Sequence, residues 1–464
     1  MEGTDVNVLV LMLDTVRPDY LGAGGSTVCK TPALDRFASQ GAFFENAYAE
    51  YPITIPTRTA LVSGIYTFTN RPWTPLRPYD LHIAELFREH GYRTAAFTDS
   101  PFREMFNMHR GFDGFVRFPI KLQPPPDFDE EVDLMGAAFP PGSEIEEALW
   151  RNCAAGFLRY YPRRLGRVGI ELMVDETMRW LEDRGREGSP FFLWVDSFQP
   201  HEPWVPPEPY RSMYQSDYRG RFIPMPAGPS IDWMTGEELE HVRALHMGEV
   251  TYTDAHVERL LTRLDELGLS EDTFVFIVSD HGMPLGEHGT IRKFGVPVYD
   301  ELAKSVWIMR KPGLIREGMR VKSLVQTTDF LPTMLELCGM RADPQRVWVH
   351  FDGIEAPKGI DGVSLLPLLT GQAESVRDAV YNGAFALRAS VRRGPWKMID
   401  NRGEKPNEVF NLEDDPLERE NRYEEMRDLA DELHRELWEF EKRWGAVLAW
   451  RDQPARPDEP GGGR

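Results

Sequence analysis

Cysteine is scarce in this chain of 464 residues, which contains only three. They are Cys29, Cys153 and Cys338, and no Cys-x-x-Cys or Cys/His zinc pattern occurs. This spacing argues against a disulfide framework and favours a reducing compartment. We therefore expect a cytoplasmic protein.

Basic residues are outnumbered, since 53 Lys and Arg stand against 74 Asp and Glu and leave a formal net charge of −21. Proteins that bind nucleic acids or anionic membranes through charge need a basic face. We therefore expect neither nucleic acid nor membrane as a partner. A small anionic substrate is not excluded, because a local site can be positive on an acidic protein. The oligomeric state is left open, and a homo-oligomer is one option.

Long apolar runs are also missing. The run from Val6 to Leu13 is interrupted by Asn7 and is too short to cross a bilayer. The N-terminus lacks the basic segment of a secretory signal, and no internal repeat is visible. These absences favour a soluble globular protein.

What the sequence does contain is four short apolar segments that each end in polar residues. They are 7–13 before Asp14, 92–97 before Thr98, 191–195 before Asp196, and 273–279 before Asp280 and His281. Continuous apolar runs of this length are typical of strands buried on both faces of a parallel sheet. Because ligands bind at the carboxyl edge of such sheets, we expect the site there.

Helical patterns over 31–40, 80–90 and 235–267 alternate with these strands and predict an α/β fold with a mostly parallel central sheet sandwiched by helices. We divide the chain into a main domain over 5–377, a small C-terminal α+β subdomain over 378–451 and a disordered tail over 452–464. The Pro-rich, acidic stretch 118–142 is predicted to be an inserted loop or lid.

Two local patterns suggest chemistry. A carboxylate and an imidazole at strand ends, as in Asp14, Asp280 and His281, are typical ligands of a divalent metal. The alternative is that Asp14 caps a turn and His281 is a loop histidine. The segment from Thr54 onward predicts a helix whose N-terminus favours an anion, with Arg58 one turn later. The alternative there is an N-cap at Thr54 and a solvated arginine.

The motifs also resemble those of a known family. Residues 14–22 resemble the DTLRADxLG opening of bacterial sulfatases, and 54–64 resemble the C/S-x-P-S-R segment of that family. Residues 200–204 resemble PHxPW, and 279–293 resemble SDHGxxLGEHGxxxK. Further family-like segments begin at 328, 361 and 411, so the resemblance runs from about residue 7 to about 425. It implies the fold of the alkaline-phosphatase-like superfamily, which acts on phosphate, sulfate and phosphonate esters.

The resemblance implies a metal site and a nucleophile. Asp14, Asp280 and His281 would hold one divalent ion, Mn, Ca or Zn, and the Thr54 oxygen would complete the site. Thr54 stands at the nucleophile position, and Arg58 would orient the nucleophile and the ester oxyanion.

Further implied roles fall elsewhere in the chain. His201 would protonate the leaving oxygen as a general acid. Lys293 would bind the substrate oxyanion, and His288 and Thr98 would contact the substrate. Arg292 is a candidate for the local basic cluster that an acidic protein needs to hold an anion.

Three departures from the family pattern bear on the substrate. Thr54 stands where sulfatases carry the Cys or Ser that matures to formylglycine, and a threonine cannot form that aldehyde. Thr15 stands where many sulfatases have a second metal-binding Asp, and 98–101 lacks their sulfate-gripping Lys and His. All three favour a phosphorus ester over a sulfate ester.

The sequence therefore predicts a metal-dependent hydrolase of phosphodiesters or phosphonate monoesters with a threonine nucleophile. One alternative is a sulfuric ester hydrolase similar to arylsulfatases. A second alternative is a non-catalytic, metal-stabilised binding protein.

Overall fold

The computed structural model describes residues 6–118, 169–184, 189–340, 348–351, 354–357 and 359–444. The predicted loop over 118–142, apart from its first residue, and the predicted tail over 452–464 lie outside these residues. Within the described part of the chain, no helix is both long and apolar enough to cross a membrane.

An eight-stranded sheet forms the centre of the protein, in the order β5-β4-β6-β1-β7-β8-β2-β9. Its strands are β1 (Asn7–Leu13), β2 (Ala42–Phe44), β4 (Arg93–Thr98), β5 (Gly114–Arg117), β6 (Phe191–Ser197), β7 (Thr273–Ser279), β8 (Trp307–Arg310) and β9 (Met319–Val321). Only β8 runs antiparallel to its neighbours, and the other pairs are parallel. The mostly parallel sheet predicted from the sequence is confirmed.

Both faces of the sheet are covered, as the unbroken apolar runs require. In β1, Val8 and Val10 face one hydrophobic cluster, whereas Leu9 and Leu11 face another. A strand with apolar side chains on both faces is stable only between two layers. The alternation within β1 therefore explains why helices pack on each side.

Helices of two groups supply these layers. The second cluster includes side chains of α1 (Pro32–Ser39), α4 (Gly169–Arg184) and α5 (Gly236–Glu266). The first includes side chains of α2 (Thr54–Ser63), α3 (Ile83–Glu89), α7 (Phe330–Leu337) and α8 (Leu366–Leu369). The long helix α5 begins where the sequence predicts, because Thr235 and Glu238 form a reciprocal capping box.

The C-terminal region is a four-stranded antiparallel sheet with one long helix. The strands are β13 (Ala379–Gly383), β14 (Ala389–Arg393), β15 (Trp396–Asp400) and β16 (Glu408–Asn411), and the helix is α9 (Arg427–Trp444). The predicted α+β subdomain is confirmed, although β16 was not predicted. The boundary at 377 stays a prediction.

Smaller elements complete the described fold. The pair β3 (Ala47–Tyr48) and β10 (Val325–Gln326) is parallel, and β11 (Trp348–Phe351) and β12 (Ile354–Pro357) form an antiparallel hairpin. A short helix, α6 (Asp300–Ala303), contacts the C-terminal sheet through Lys397, whose Nζ lies 2.7 Å from Asp300 Oδ1 and 2.8 Å from Glu418 Oε1.

Candidate metal centre and active site

The carboxyl edge of the sheet brings together Asp14, which follows β1, and Asp280 and His281, which follow β7. These two strands are parallel neighbours with Leu13 opposite Ser279, so the next residues emerge side by side. One ligand atom from each of the three residues lies within 4.8 Å of the others, and all three residues are buried. The strand-end prediction of a metal half-site therefore matches the geometry.

The donor set fits a divalent cation. Both carboxylate oxygens of Asp14 and Nε2 of His281 are buried with no hydrogen-bond partner. Nδ1 of His281 lies 2.7 Å from the carbonyl oxygen of Gly282, so Nδ1 carries the proton and Nε2 keeps a free lone pair. Two oxygens and one nitrogen suit Mn, Ca or Zn to different degrees. Because Asp14 makes no hydrogen bond to a backbone N–H, the turn-capping alternative is wrong.

The electrostatics of Asp14 and Asp280 also fit a site for a divalent cation. Burial, and then repulsion by Asp280, raises the pKa of Asp14 well above its ordinary value, although Arg58 opposes the shift. Asp280 is fixed by two backbone N–H groups, from Thr15 at 2.9 Å and His281 at 2.8 Å. Thr15 adopts a φ of 66°, a left-handed conformation that costs a non-glycine residue about 1–2 kcal/mol. That bond to Asp280 helps to hold this backbone conformation in place.

Thr54 is the first residue of α2, and Ile53 stands at the N-cap. The N-cap alternative for Thr54 is therefore wrong. Its hydroxyl is buried at the positive end of a ten-residue helix, and its Oγ1 lies 3.4 Å from Nζ of Lys293. Gly64, with a φ of 69°, ends the helix as predicted.

Arg58 is fully buried and faces three carboxylates, so the solvated-face alternative is wrong. Nη1 donates to Asp280 at 2.5 Å and to the carbonyl oxygen of Thr54 at 3.2 Å. Nε and Nη2 donate to Asp196 at 3.0 and 2.8 Å, and Nη2 lies 3.1 Å from Asp14. Because every guanidinium nitrogen already contacts an acceptor, Arg58 is placed to orient the metal ligands and Thr54. Its contact with the ester oxyanion stays a prediction.

Asp196 is a site residue for which no motif predicts a role. It lies near the end of β6, and besides Arg58 it accepts hydrogen bonds from Trp194 Nε1 at 3.0 Å and from the Ser100 hydroxyl. Its strand-end position beside β1 was the available signal. Thr98 belongs to this supporting network, since its Oγ1 lies 3.1 Å from Ser100 Oγ and the residue is 1% exposed. The substrate contact of Thr98 stays a prediction.

His201 and Lys293 form a close pair. Nζ of Lys293 lies 2.7 Å from Nε2 of His201, and Nδ1 of His201 lies 2.6 Å from the carbonyl oxygen of Glu202. Burial lowers the pKa of His201 to about 3, with help from Lys293 and Arg292 and against the attraction of Glu202. The imidazole is therefore neutral, and the ammonium of Lys293 donates to it. The structure places the predicted general acid beside the predicted oxyanion ligand.

Two predicted site residues point elsewhere. His288 has both ring nitrogens engaged, by Glu301 Oε1 at 2.6 Å and the carbonyl oxygen of Glu418 at 3.0 Å, and its ring stacks on Tyr299. Both ring nitrogens are thus engaged within the protein, and the substrate contact of His288 stays a prediction. The guanidinium of Arg292 donates to Glu202 at 2.5 Å, and Arg292 is buried. The prediction of a basic cluster required Arg292 to face an incoming anion. In the structure its guanidinium faces Glu202 instead.

All of these site residues lie within a stretch of the chain that matches a known family. The family model described as "Sulfatase" matches residues 6–340, and the C-terminal model of N-sulphoglucosamine sulphohydrolase matches 286–443. The first match covers well over half of the chain, so the chain belongs to the sulfatase family of hydrolases. The resemblance inferred from the motifs is confirmed.

Individual relatives support the same assignment. The chain is 26% identical to an arylsulfatase of Clostridium perfringens over 471 residues, covering 93% of each protein. It is 26% identical to the multifunctional alkaline phosphatase superfamily protein PehA of Trinickia caryophylli, covering 79% of this chain and 77% of PehA. The crystal structure of phosphonate monoester hydrolase of Agrobacterium radiobacter shares the fold, with a TM-score of 0.69 and 22% identity, over 96% of this chain and 95% of that one.

Proposed function

We propose that this chain is a metal-dependent hydrolase that attacks phosphodiesters or phosphonate monoesters with the hydroxyl of Thr54. The observation that carries the proposal is the placement of Thr54. Its Oγ1 lies at the start of α2 and 3.4 Å from Lys293 Nζ, and its carbonyl oxygen is bound by Arg58. A hydroxyl at a helix N-terminus beside a cation is well placed to meet an anionic ester.

The metal ligands in this proposal are Asp14, Asp280 and His281, with the Thr54 oxygen as a further ligand. A divalent cation held there would act as a Lewis acid and lower the pKa of an oxygen bound to it. Arg58 orients the carboxylates of Asp14 and Asp280, and Asp196 in turn holds Arg58.

Each proton in the proposed reaction has a source and a destination. Thr54 releases its proton to solvent as Oγ1 bonds to phosphorus, and the leaving oxygen takes up one proton as its bond to phosphorus breaks. The donor is the Lys293–His201 pair, in which a proton lies between Nζ and Nε2 at 2.7 Å. A water molecule then attacks phosphorus and breaks its bond to Thr54. The two protons of that water restore the Thr54 hydroxyl and the pair, and the product leaves as a dianion.

The second candidate function is hydrolysis of sulfuric esters. The similarity to an arylsulfatase over 93% of the chain favours it. Thr54 disfavours it, because a sulfated threonine lacks the aldehyde-hydrate route by which sulfatases release sulfate. A non-catalytic binding protein is the third candidate, but a binder has no need for the Lys293–His201 pair.

Four substrates separate the candidates: 4-nitrophenyl sulfate, 4-nitrophenyl phosphate, bis(4-nitrophenyl) phosphate and 4-nitrophenyl phenylphosphonate. Each is assayed after addition of Mn, Ca or Zn. We expect a phosphorus ester to turn over fastest. Faster turnover of the sulfate ester would establish the second candidate instead.

The matched variants are Thr54→Val and Thr59→Val, which each remove one buried hydroxyl from the same helix. We expect Thr54→Val to lose at least about 100-fold in kcat, since it removes the nucleophile. Thr59→Val is expected to keep its turnover within about threefold, because its hydroxyl has no hydrogen-bond partner. Wild-type turnover no higher than that of Thr54→Val would favour the binding protein.

A further inference from the structure

His201 and Lys293 come from two separate loops. His201 follows β6, Lys293 lies between β7 and α6, and neither belongs to a helix or strand. Their side-chain nitrogens nevertheless approach to 2.7 Å. No pairing of named strands joins the two loops, so side-chain contacts between them help to set this distance.

Glu202 connects these two loops. It follows His201 directly, and its side chain is fully buried. Oε1 accepts a hydrogen bond at 2.5 Å from Nε of Arg292, which directly precedes Lys293. Oε2 lies 3.2 Å from Nδ1 of His201. One carboxylate therefore contacts His201 on one side and the neighbour of Lys293 on the other.

Arg292 is held in an unusual backbone conformation. Its φ of 61° lies in the left-handed region, which is unfavourable for a residue other than glycine. Besides the bond to Glu202, its guanidinium donates to the carbonyl oxygen of Pro226 at 3.2 Å and lies 4.7 Å from the ring centroid of Phe294. These contacts offset the cost and set the direction in which Lys293 leaves the loop.

The imidazole of His201 is oriented by the same neighbours. Nδ1 faces the carbonyl oxygen of Glu202 at 2.6 Å as well as its carboxylate, so the proton resides on Nδ1. Nε2 is then free to accept from Lys293. Phe198 stacks on the ring with centroids 4.0 Å apart and fixes its plane.

We propose that Glu202 is a positioning residue for ester cleavage, whose carboxylate binds Arg292 and thereby holds the neighbouring Lys293 against Nε2 of His201. The inference rests on the proposed function, in which the His201–Lys293 pair serves the leaving oxygen. Glu202 acts on the reaction only through His201 and Lys293, which protonate the leaving oxygen. The loss of kcat/KM on replacing Glu202 should therefore be larger for a leaving group that needs a proton.

Glu202→Gln tests this role, because the amide keeps the shape of the side chain but offers one acceptor oxygen where Glu202 presents two. The substrates are the phenyl and 4-nitrophenyl esters of the acid that the four-ester screen identifies. We expect kcat/KM for the phenyl ester to fall on the order of 10-fold or more, because phenolate needs the proton. The 4-nitrophenyl ester is expected to lose less than about threefold, since its leaving group departs unprotonated.

Control variants separate positioning from folding. Glu208→Gln removes an exposed carboxylate that pairs with Arg211 in the same loop, and both esters are expected to react as in the wild type. Arg292→Lys keeps the charge but loses the forked contact, so it is expected to show the same leaving-group selectivity at a smaller amplitude. It replaces Glu202→Gln if that variant does not fold.

A second readout needs no turnover. Nitrogen-15 spectra of histidine-labelled protein report the tautomer and the hydrogen bonding of His201, with its resonances assigned by their loss in His201→Gln. We expect the Nδ1–H form in both the wild type and Glu202→Gln, because the carbonyl oxygen of Glu202 is kept. The Nε2 resonance is expected to shift in Glu202→Gln, because Lys293 no longer donates to that nitrogen. Equal losses on both esters, or an unchanged Nε2 resonance, would overturn the inference. If the wild type hydrolyses no ester, the proposed function fails, and the Nε2 resonance alone decides the positioning role.

Discussion

The candidate active site has two halves that are held in place differently. The strand-end cluster consists of Asp14, Arg58, Asp196, Asp280 and His281, and all of its members are fully buried. The loop cluster consists of His201, Glu202, Arg292 and Lys293, and none of its members belongs to a helix or strand. The first cluster has the central sheet beneath it, whereas the second is held by side-chain contacts and by hydrogen bonds to the backbone of its own loops.

This difference shows what fixes the positions of the side chains in each half. Leu13 pairs with both Ser197 and Ser279, so the strand ladder fixes how Asp14 and Asp280 emerge before any side chain forms a bond. In the loop cluster, the bond between Glu202 and Arg292 sets the geometry. We therefore expect mutations in the strand-end cluster to affect stability and metal binding, and mutations in the loop cluster to affect pH dependence and turnover.

The largest effect is expected for Arg58→Met in metal-free protein. Loss of the guanidinium leaves the buried carboxylates of Asp14, Asp196 and Asp280 without a counter-charge, which should lower the free energy of unfolding by about 3–5 kcal/mol. Urea denaturation measures this change. Arg36→Met, which removes an exposed ion pair with Glu258, should cost at most about 1 kcal/mol. Similar losses in the two variants would contradict the contrast.

Metal addition is expected to have the next largest effect. A cation bound only by the folded protein, at 100 times its Kd, stabilises it by about 2.7 kcal/mol, which thermal unfolding with and without Mn measures. Asp14→Asn should lose most of this gain. Asp254→Asn should keep it, because that buried carboxylate instead accepts from the backbone N–H groups of Ala33 and Leu34. An undiminished gain in Asp14→Asn would rule out this site.

The loop cluster should show itself in the pH dependence of stability. Burial lowers the pKa of His201 from 6.5 to about 3, so below pH 6.5 the unfolded chain binds a proton that the folded protein does not. This stability is present above pH 6.5 and is lost as the pH falls toward 3. Between pH 7.5 and 5, the wild type should lose about 2 kcal/mol more than His201→Gln.

Urea unfolding at both pH values measures that difference, with His90→Gln as the control. His90 is exposed, so its replacement should leave the pH dependence of the wild type unchanged. A parallel fall in stability for the wild type and His201→Gln would mean that His201 is protonated in the folded protein.

The smallest effect on activity is expected for His288→Gln. His288 contacts Glu301, Glu418 and Tyr299, so its replacement should cost about 1 kcal/mol of stability and change kcat/KM by less than about threefold. Steady-state kinetics and thermal unfolding test both numbers. A large rise in KM at unchanged stability would return His288 to the substrate-binding role that the motif suggests.

The strand-end cluster was largely accessible from the sequence. Asp14, Asp280 and His281 follow strands whose apolar runs are unmistakable, and parallel strands place their ends at one edge. Asp196 also follows such a run, but its role depends on Arg58, which is 138 positions away in sequence. Short strands such as β16 carry too few residues to show a period.

The loop cluster was accessible only as separate motifs. Glu202 lies inside one motif and Arg292 inside another, and no local pattern indicates that their side chains meet 90 positions apart. Thr98 and His288 show the converse, since position in a motif does not determine which way a side chain faces. Periodicity predicts faces of helices and strands, whereas loop side chains are oriented by distant partners.

Lys397 has a consequence for how this protein can be divided. It is fully buried, and its ammonium joins Asp300, a few residues beyond Lys293, to Glu418. A chain cut at 377 would leave Asp300 without this cation and His288 without the carbonyl oxygen of Glu418. The C-terminal region is therefore expected to be exchanged between relatives only together with the segment around 288–304, because separation would break the buried ion pairs that Lys397 makes.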